Sequence, residues 1–333
     1  MSEILAPWLL RQLHTLLPQR GHARLLQGPS GLGQYPLALG LARAWLCDTP
    51  APDGTACGQC GSCHAIEVRT HADLRVLMPE VQMQTLGWPL SEKAQADIDD
   101  KKRKPSKEIR VDAMRDAVEF AQRTNARGRG KVVLVYPAEQ MNAITANALL
   151  KTLEEPTGDV RFILASEAAH QLLPTIRSRC QGHTMVWPAH DEMLGWLAGQ
   201  GVAAADADAL LRAAGGRPDD ALAFAQSGRD PRRWAMLPKA VARGDGTVFA
   251  DWAAGDIIDA LQKLCHDLLA TRAGADPRYF LPADLPAPPS WLVLARWSKR
   301  LAASARTADH PFNPGLMLEA LVSGAQNALH SKA

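Results

Sequence analysis

Apolar residues in the first half of the chain come in short blocks set between glycine, proline and polar clusters. Four blocks predict strands: His22 to Gln27 with Leu25 and Leu26 as its apolar pair, Leu74 to Leu77, Lys131 to Val135, and Val160 to Ala165. Lys131 to Val135 and Val160 to Ala165 are near-continuous apolar runs, as expected of strands buried on both faces. A last short strand is expected near His183 to Val186.

Between the strands the apolar positions recur with helical spacing. Pro7 to Leu17, Leu37 to Leu46 with Pro36 at its opening, Ile109 to Arg123, and Ala143 to Glu155 stopped by Pro156 all predict helices. Strands alternating with helices argue for an α/β fold, a parallel sheet with helices on both faces. Residues Pro79 to Lys107, with Gly87, Pro89 and the basic run Lys101 to Lys104, read as an irregular, mobile surface insertion.

After Pro188 the strand signals stop. Met193 to Ala198, Ala204 to Ala214 and Asp219 to Gln226 predict a small helical unit broken at Gly215-Gly216. Val248 to Ala270 and Trp291 to Arg306 are the clearest helices beyond it, with a proline-rich loop at Asp276 to Ser290. The reading is three domains: an α/β core over 1–187, a helical unit over 188–228 and an all-helical region over 229–333.

Composition narrows this picture. With 333 residues, the chain is too long for one ordinary core. A net charge of +2 gives no bulk attraction to nucleic acid or membrane. No apolar stretch is long enough to span a bilayer, and the first residues lack the basic start and small-residue cleavage site of a signal peptide. A cytoplasmic protein with reduced thiols is expected.

Two motifs suggest chemistry. Gly28-Pro29-Ser30-Gly31-Leu32-Gly33-Gln34-Tyr35 has the layout of a Walker A phosphate loop, in the strand–loop–helix context that motif requires. Gln34 replaces the lysine that holds the β- and γ-phosphates, and Tyr35 replaces the hydroxyl that holds Mg²⁺. The strand Lys131 to Val135 should end in acidic residues in a working ATPase, but Tyr136-Pro137 follows. Glu139 comes too late to take their place and is expected to point elsewhere. Gly28, Gly31, Gly33, Gln34 and Tyr35 therefore form a degenerate nucleotide loop, and no ATP is expected in it.

The second motif is Cys47, Cys57, Cys60 and Cys63, spaced C-x9-C-x2-C-x2-C with Gly58 and Gly61 at the turns. Four clustered thiols in a reducing compartment suit a closed, structural Zn²⁺ site, with a redox pair or plain buried thiols as rivals. His64 is read as surface or supporting, and Cys180 and Cys265 as core residues.

Two further blocks complete the pattern: Asn147-Ala148-Leu149-Leu150-Lys151-Thr152-Leu153-Glu154-Glu155-Pro156 and Ser178-Arg179-Cys180. Together with the cysteine insertion after the glycine-loop helix, they resemble the clamp-loader branch of the AAA+ ATPases. The likeness is to the bacterial DNA polymerase III delta-prime and gamma/tau families, over residues 1 to 227. The damaged nucleotide motifs favour the delta-prime line.

The resemblance implies an AAA+ core with the zinc insertion at 47–63, a helical lid and an oligomerising collar. It implies that Arg179, supported by Ser178, is an arginine finger reaching into a neighbouring gamma/tau subunit's ATP site. The local alternative for Arg179 is a salt bridge at a helix end, with Arg177 as a decoy. Ser166 falls at the family's first sensor position. Asp219 falls where an ATPase would place a second-sensor arginine, with Arg217 close by.

The implied partners are gamma/tau, delta, the beta sliding clamp and primer–template DNA, with Arg123, Arg127, Arg129 and Lys131 as candidate DNA contacts. Two other readings remain open: an ATP-hydrolysing gamma/tau-like motor, which ATP binding would reveal, and a zinc-dependent nucleic-acid binder.

Overall fold

The computed structural model describes residues 5–156, 158–227, 230–308, 310 and 312–331. The chain divides into two compact units, Met1–Pro188 and Ala189–Ala333.

The first unit is built on five parallel strands: β1 (Ala23–Gln27), β2 (Leu74–Leu77), β3 (Lys131–Val135), β4 (Val160–Ser166) and β5 (Gln181–Thr184), in the order β2-β3-β4-β1-β5. In register, Ala23 lies opposite Phe162 and Phe162 opposite Val133. Alternate residues point to opposite faces. Leu25, Leu77, Val133, Val135, Phe162 and Leu164 share one core cluster with Met114, Phe120, Leu149 and Leu153. The latter come from α6 (Val111–Gln122) and α7 (Ala143–Glu154). α1 (Pro7–Leu16) packs against α2 (Gln34–Leu46), and α2 also lies against β3 and β4. Helix–sheet–helix layering explains why β3 and β4 are apolar along nearly their whole length.

Three local expectations need correction. α2 starts at Gln34 with Gly33 as its N-cap, so Pro36 is its third residue, where a missing N–H still costs no helical bond. β5 lies two residues before the expected strand. It is a largely exposed edge strand, so its polar residues carry no apolar alternation to read.

The third concerns 79–107, which is not irregular. After α3 (Gly61–Glu67) and β2 it holds α4 (Glu80–Thr85) and α5 (Glu92–Asp99), the latter capped by Ser91 accepting from Ala94 N at 3.3 Å. Buried Glu80 anchors the segment. It accepts from Arg103 Nη2 and Ser106 N, each at 2.8 Å, and pairs with Arg110 at 3.3 Å. Burial opposes its charge most strongly, but the hydrogen bonds from Arg103 and Ser106 and the charges of Arg103 and Arg110 together outweigh it and hold its carboxyl below the usual range. Arg103, read as part of a solvated basic run, is thus an internal tie.

The second unit is helical among its described residues. α8 (Pro174–Arg177) precedes β5 in the first unit, and α9 (His190–Gly199), α10 (Ala204–Ala213) and α11 (Pro218–Gln226) open the second. Met193, Leu197, Ala207, Leu210, Leu211, Ala214 and Ala221 form their core. α12 (Pro231–Ala242), α13 (Ala254–Arg272), α14 (Trp291–Ala305) and α15 (Pro314–His330) share a separate cluster around Trp234, Leu261, Trp297 and Val322. The domain boundary expected at 228 and 229 lies outside the described residues.

α13 starts later than the apolar pattern suggested, because Thr247–Phe249 forms a separate short turn. Its Asp267 is fully buried and accepts from the backbone N–H groups of Arg278, Tyr279 and Phe280 at 2.9, 2.7 and 2.8 Å. Three donors on one carboxylate make its burial tolerable. They also seat Phe280 on Trp234, with ring centroids 4.8 Å apart.

Candidate functional site

The glycine loop joins β1 to α2. Gly31 (φ 75°) and Gly33 (φ 88°) are left-handed, a conformation that side chains disfavour, so the loop keeps the backbone of a phosphate cradle. The side chains around it are committed elsewhere. Gln34 is 2 % exposed, and its Nε2 donates to Gly28 O at 2.9 Å and Pro29 O at 2.7 Å. The residue at the lysine position therefore binds the loop's own carbonyls.

Tyr35 is also turned inward. Its ring stacks on Tyr136 at 5.3 Å, and its hydroxyl accepts from Trp88 Nε1 at 2.6 Å. Arg69 lies over the Trp88 ring at 4.6 Å. Trp88 and Arg69 were not foreseen as part of this site, since both sit in segments without a periodic apolar signal. Tyr35 thus fastens the α4–α5 segment to the core.

The acidic half of the site is closed in the same way. Glu139 accepts from Ser166 Oγ at 2.7 Å and from Glu167 N at 3.1 Å. Tyr136 donates its hydroxyl proton to Glu167 at 2.7 Å. Glu139, on the turn after β3, and Ser166, at the end of β4, satisfy each other. Arg217, N-cap residue of α11, pairs with Asp220 at 2.6 Å.

Arg179 sits on the short link between α8 and β5, held by buried Ile176 and by half-buried Cys180, which packs against the core. Burial pushes the Cys180 thiol up to about 11, so it remains a neutral core residue. The Arg179 guanidinium is tied locally. Nε and Nη2 both meet Glu154 Oε1, and Nη1 donates to Thr175 O at 2.9 Å. Ser178 Oγ donates to Thr175 O at 3.2 Å and shapes the turn. Glu154 was not foreseen as a partner, although it lies within the Asn147–Pro156 block. Arg177 is exposed and forms no ion pair among the described residues.

The four cysteines converge. Cys47 Sγ lies 3.6 Å from that of Cys57, 3.8 Å from Cys60 and 3.7 Å from Cys63. All four sulfurs fall within 4.8 Å of one another, an arrangement that can hold a metal ion. Backbone N–H groups turn toward the sulfurs: Cys57 N toward Cys47, Cys60 N toward Cys57, and Cys63 N toward Cys60. Such donors favour thiolates. Without a metal, the Thr49 hydroxyl, then the Gln59 and Cys60 amides, hold Cys57 down to about 6. Burial pushes Cys63 up to about 12 and also raises Cys47. Exposed His64 is not among the converging ligands.

A polar layer backs the cluster. Asp48 accepts from Arg127 Nη2 at 3.0 Å, Ser62 Oγ at 2.7 Å and Ser62 N at 3.1 Å, and these bonds hold its carboxyl far below the usual range. His71 accepts from Asp73 N through Nδ1, which leaves Nε2 to donate to Ser62 Oγ at 3.1 Å. The Ser62 proton thus points at Asp48, opposite to what a nucleophilic serine needs. This layer is structural.

It also revises the candidate DNA contacts. Lys131 is 5 % exposed, and its Nζ donates to Phe120 O at 2.7 Å while lying 4.1 Å from the Phe120 ring centre. A strand-start lysine folded under a helix end is not available to DNA. Arg127 is engaged with Asp48, and Arg123 with Glu119. Arg129 is exposed and forms no ion pair among the described residues.

A family model described as DNA polymerase III, delta subunit, matches residues 9–186. The DNA polymerase III subunit delta' of Escherichia coli is 31% identical over 278 residues, 77% of this chain and 76% of that protein. The chain belongs to the DNA polymerase III delta-prime family. The Pseudomonas aeruginosa member is 42% identical over 180 residues, 54% of this chain; the match spans about half of that relative's length, 48%. Outside the delta-prime family, the E. coli subunit tau is 34% identical over 159 residues, 48% of this chain and 20% of tau. No helix among the described residues of this delta-prime family member is long and apolar enough to cross a membrane.

Proposed function

We propose that this chain is a non-hydrolysing subunit of a DNA polymerase III clamp loader, acting in the cytoplasm. In this reading it assembles with gamma/tau and delta subunits, lends Arg179 to the ATP site of a neighbouring gamma/tau subunit, and helps place the beta clamp on primed DNA. Residues 188–228 serve as the lid and 229–333 as the oligomerising collar.

The observation that carries the reading is Gln34. Its amide occupies the loop carbonyls, and no cation stands at the lysine position. Phosphoryl transfer depends on lysine and Mg²⁺ to balance developing negative charge. A loop stripped of both keeps shape without catalysis. Arginine suits the role in trans, because its fork is permanently charged and matches phosphate oxygens.

Zinc is the ion we assign to the cysteine cluster. Zn–S bonds of about 2.3 Å in a tetrahedron require S···S edges of about 3.8 Å. The 3.6, 3.7 and 3.8 Å separations from Cys47 agree with that edge. Bound there, Zn²⁺ would link the end of α2 to α3 as a structural tie. Primer–template DNA would be met through its backbone charge, with Arg129 as the leading candidate contact.

Assembly tests the reading. Purified chain mixed with gamma/tau and delta should co-elute as one complex on size exclusion and support clamp loading onto primed DNA. Separate elution at micromolar concentrations would contradict it.

A further inference from the structure

We infer that Glu154 is a positioning residue that withholds Arg179 until the neighbouring ATP site is engaged. The inference rests on the finger reading of Arg179 given above and adds a control element to it.

The geometry is that of a substitute for phosphate. The Nε and Nη2 donors form the edge with which a guanidinium grips two phosphate oxygens. Here both point at Glu154 Oε1, while Nη1 is held by Thr175 O. The edge cannot serve the carboxylate and a γ-phosphate fully at the same time. Glu154 comes from the last residue of α7, whose Leu149 and Leu153 are buried on the sheet; Arg179 follows α8, whose Ile176 is fully buried. The two charges thus project from rigid supports, and the pairing needs no loop rearrangement.

The magnitude suits a catch that can be released. The side chains are 32% and 47% exposed, so solvent screens the pair. Such an exposed contact holds back a competing state by about fivefold at most, the factor for ~1 kcal/mol. A γ-phosphate with its bound metal offers a stronger partner and wins the exchange once the interface closes. Arg177, exposed on the same turn, lacks any such partner among the described residues. The withholding is therefore specific to one arginine of the pair.

The test uses the reconstituted complex with gamma/tau and delta, assayed for ATP hydrolysis with and without primed DNA and clamp. Glu154→Gln keeps the shape and removes the charge. It should raise hydrolysis without DNA two- to fivefold and shrink the stimulation by DNA. Raising salt should bring the unmodified complex toward the variant, because the pair is screened. Adding Arg179→Ala to Glu154→Gln should bring hydrolysis down to the level of Arg179→Ala alone, and the salt dependence is the readout that a purely structural role for Glu154 would not move.

Hydrolysis unchanged or lowered in Glu154→Gln, with Arg179→Ala still inactivating, overturns this inference and leaves the finger assignment intact. No effect of Arg179→Ala overturns the finger assignment itself. Glu154→Ala, also at an exposed position, repeats the measurement should the glutamine keep a hydrogen bond to the guanidinium.

Discussion

Arg179→Ala should leave the chain folded and the complex assembled while cutting ATP hydrolysis at the neighbouring gamma/tau site by about 10³-fold. The two halves of this expectation rest on different magnitudes. The side chain's contacts within its own chain are an exposed ion pair and one bond to a carbonyl. Such a pair contributes only ~0–1 kcal/mol. The structural anchors of the turn, Ile176 and Cys180, are untouched by the change. A finger supplied to a phosphoryl-transfer site is worth far more, so catalysis and stability should separate cleanly. Single-turnover hydrolysis in the reconstituted complex, alongside thermal melting of the variant chain, measures both. Arg177→Ala is the matched control and should leave hydrolysis near the unmodified rate. Equal losses in the two variants would point to a general charge effect rather than a finger.

Removing the zinc proposed for the cysteine cluster should have the second-largest effect. Chelation, or Cys57→Ser with Cys60→Ser, should release one equivalent of zinc and destabilise the first unit by on the order of 5 kcal/mol. That is below the ~10–16 kcal/mol that zinc supplies to a small finger with no other core. A smaller loss is expected because Leu46 and Ile66, beside the cluster, are buried in a unit with a core of its own. The loss should spread along the polar layer from Ser62 through Asp48 to Arg127 and His71. Metal analysis and a denaturant melt check this. An unchanged midpoint after complete metal removal would contradict a structural role. A folded variant with a selective loss of DNA affinity would favour the nucleic-acid binder instead.

The glycine loop and the cysteine cluster could be read from sequence because each is local. Gly31 and Gly33 mark left-handed turns, and four cysteines within seventeen positions leave little freedom in how they meet. The buried strands were equally plain, since β3 and β4 are apolar on both faces. What sequence could not supply was pairing at a distance. Glu154 and Arg179 lie 25 positions apart, and Tyr35 and Trp88 lie 53 apart.

Helices without an apolar face were invisible for a different reason. α5 buries none of its residues, and α4 is secured by the charge of Glu80. Hydrophobic periodicity has nothing to detect in either. Lys131 shows the converse problem. A basic residue at a strand start was read as surface, yet its stem lies against Phe120 and its amine finds a carbonyl.

The central claim is that the nucleotide loop is closed by its own side chains and does no chemistry. Titrating the purified chain with ATP and Mg²⁺ by calorimetry, and assaying the same sample for phosphate release, tests it most directly. No saturable binding at micromolar ATP and no turnover above buffer is the result the Gln34 geometry predicts. Micromolar binding with Mg²⁺-dependent hydrolysis by the chain alone would contradict it.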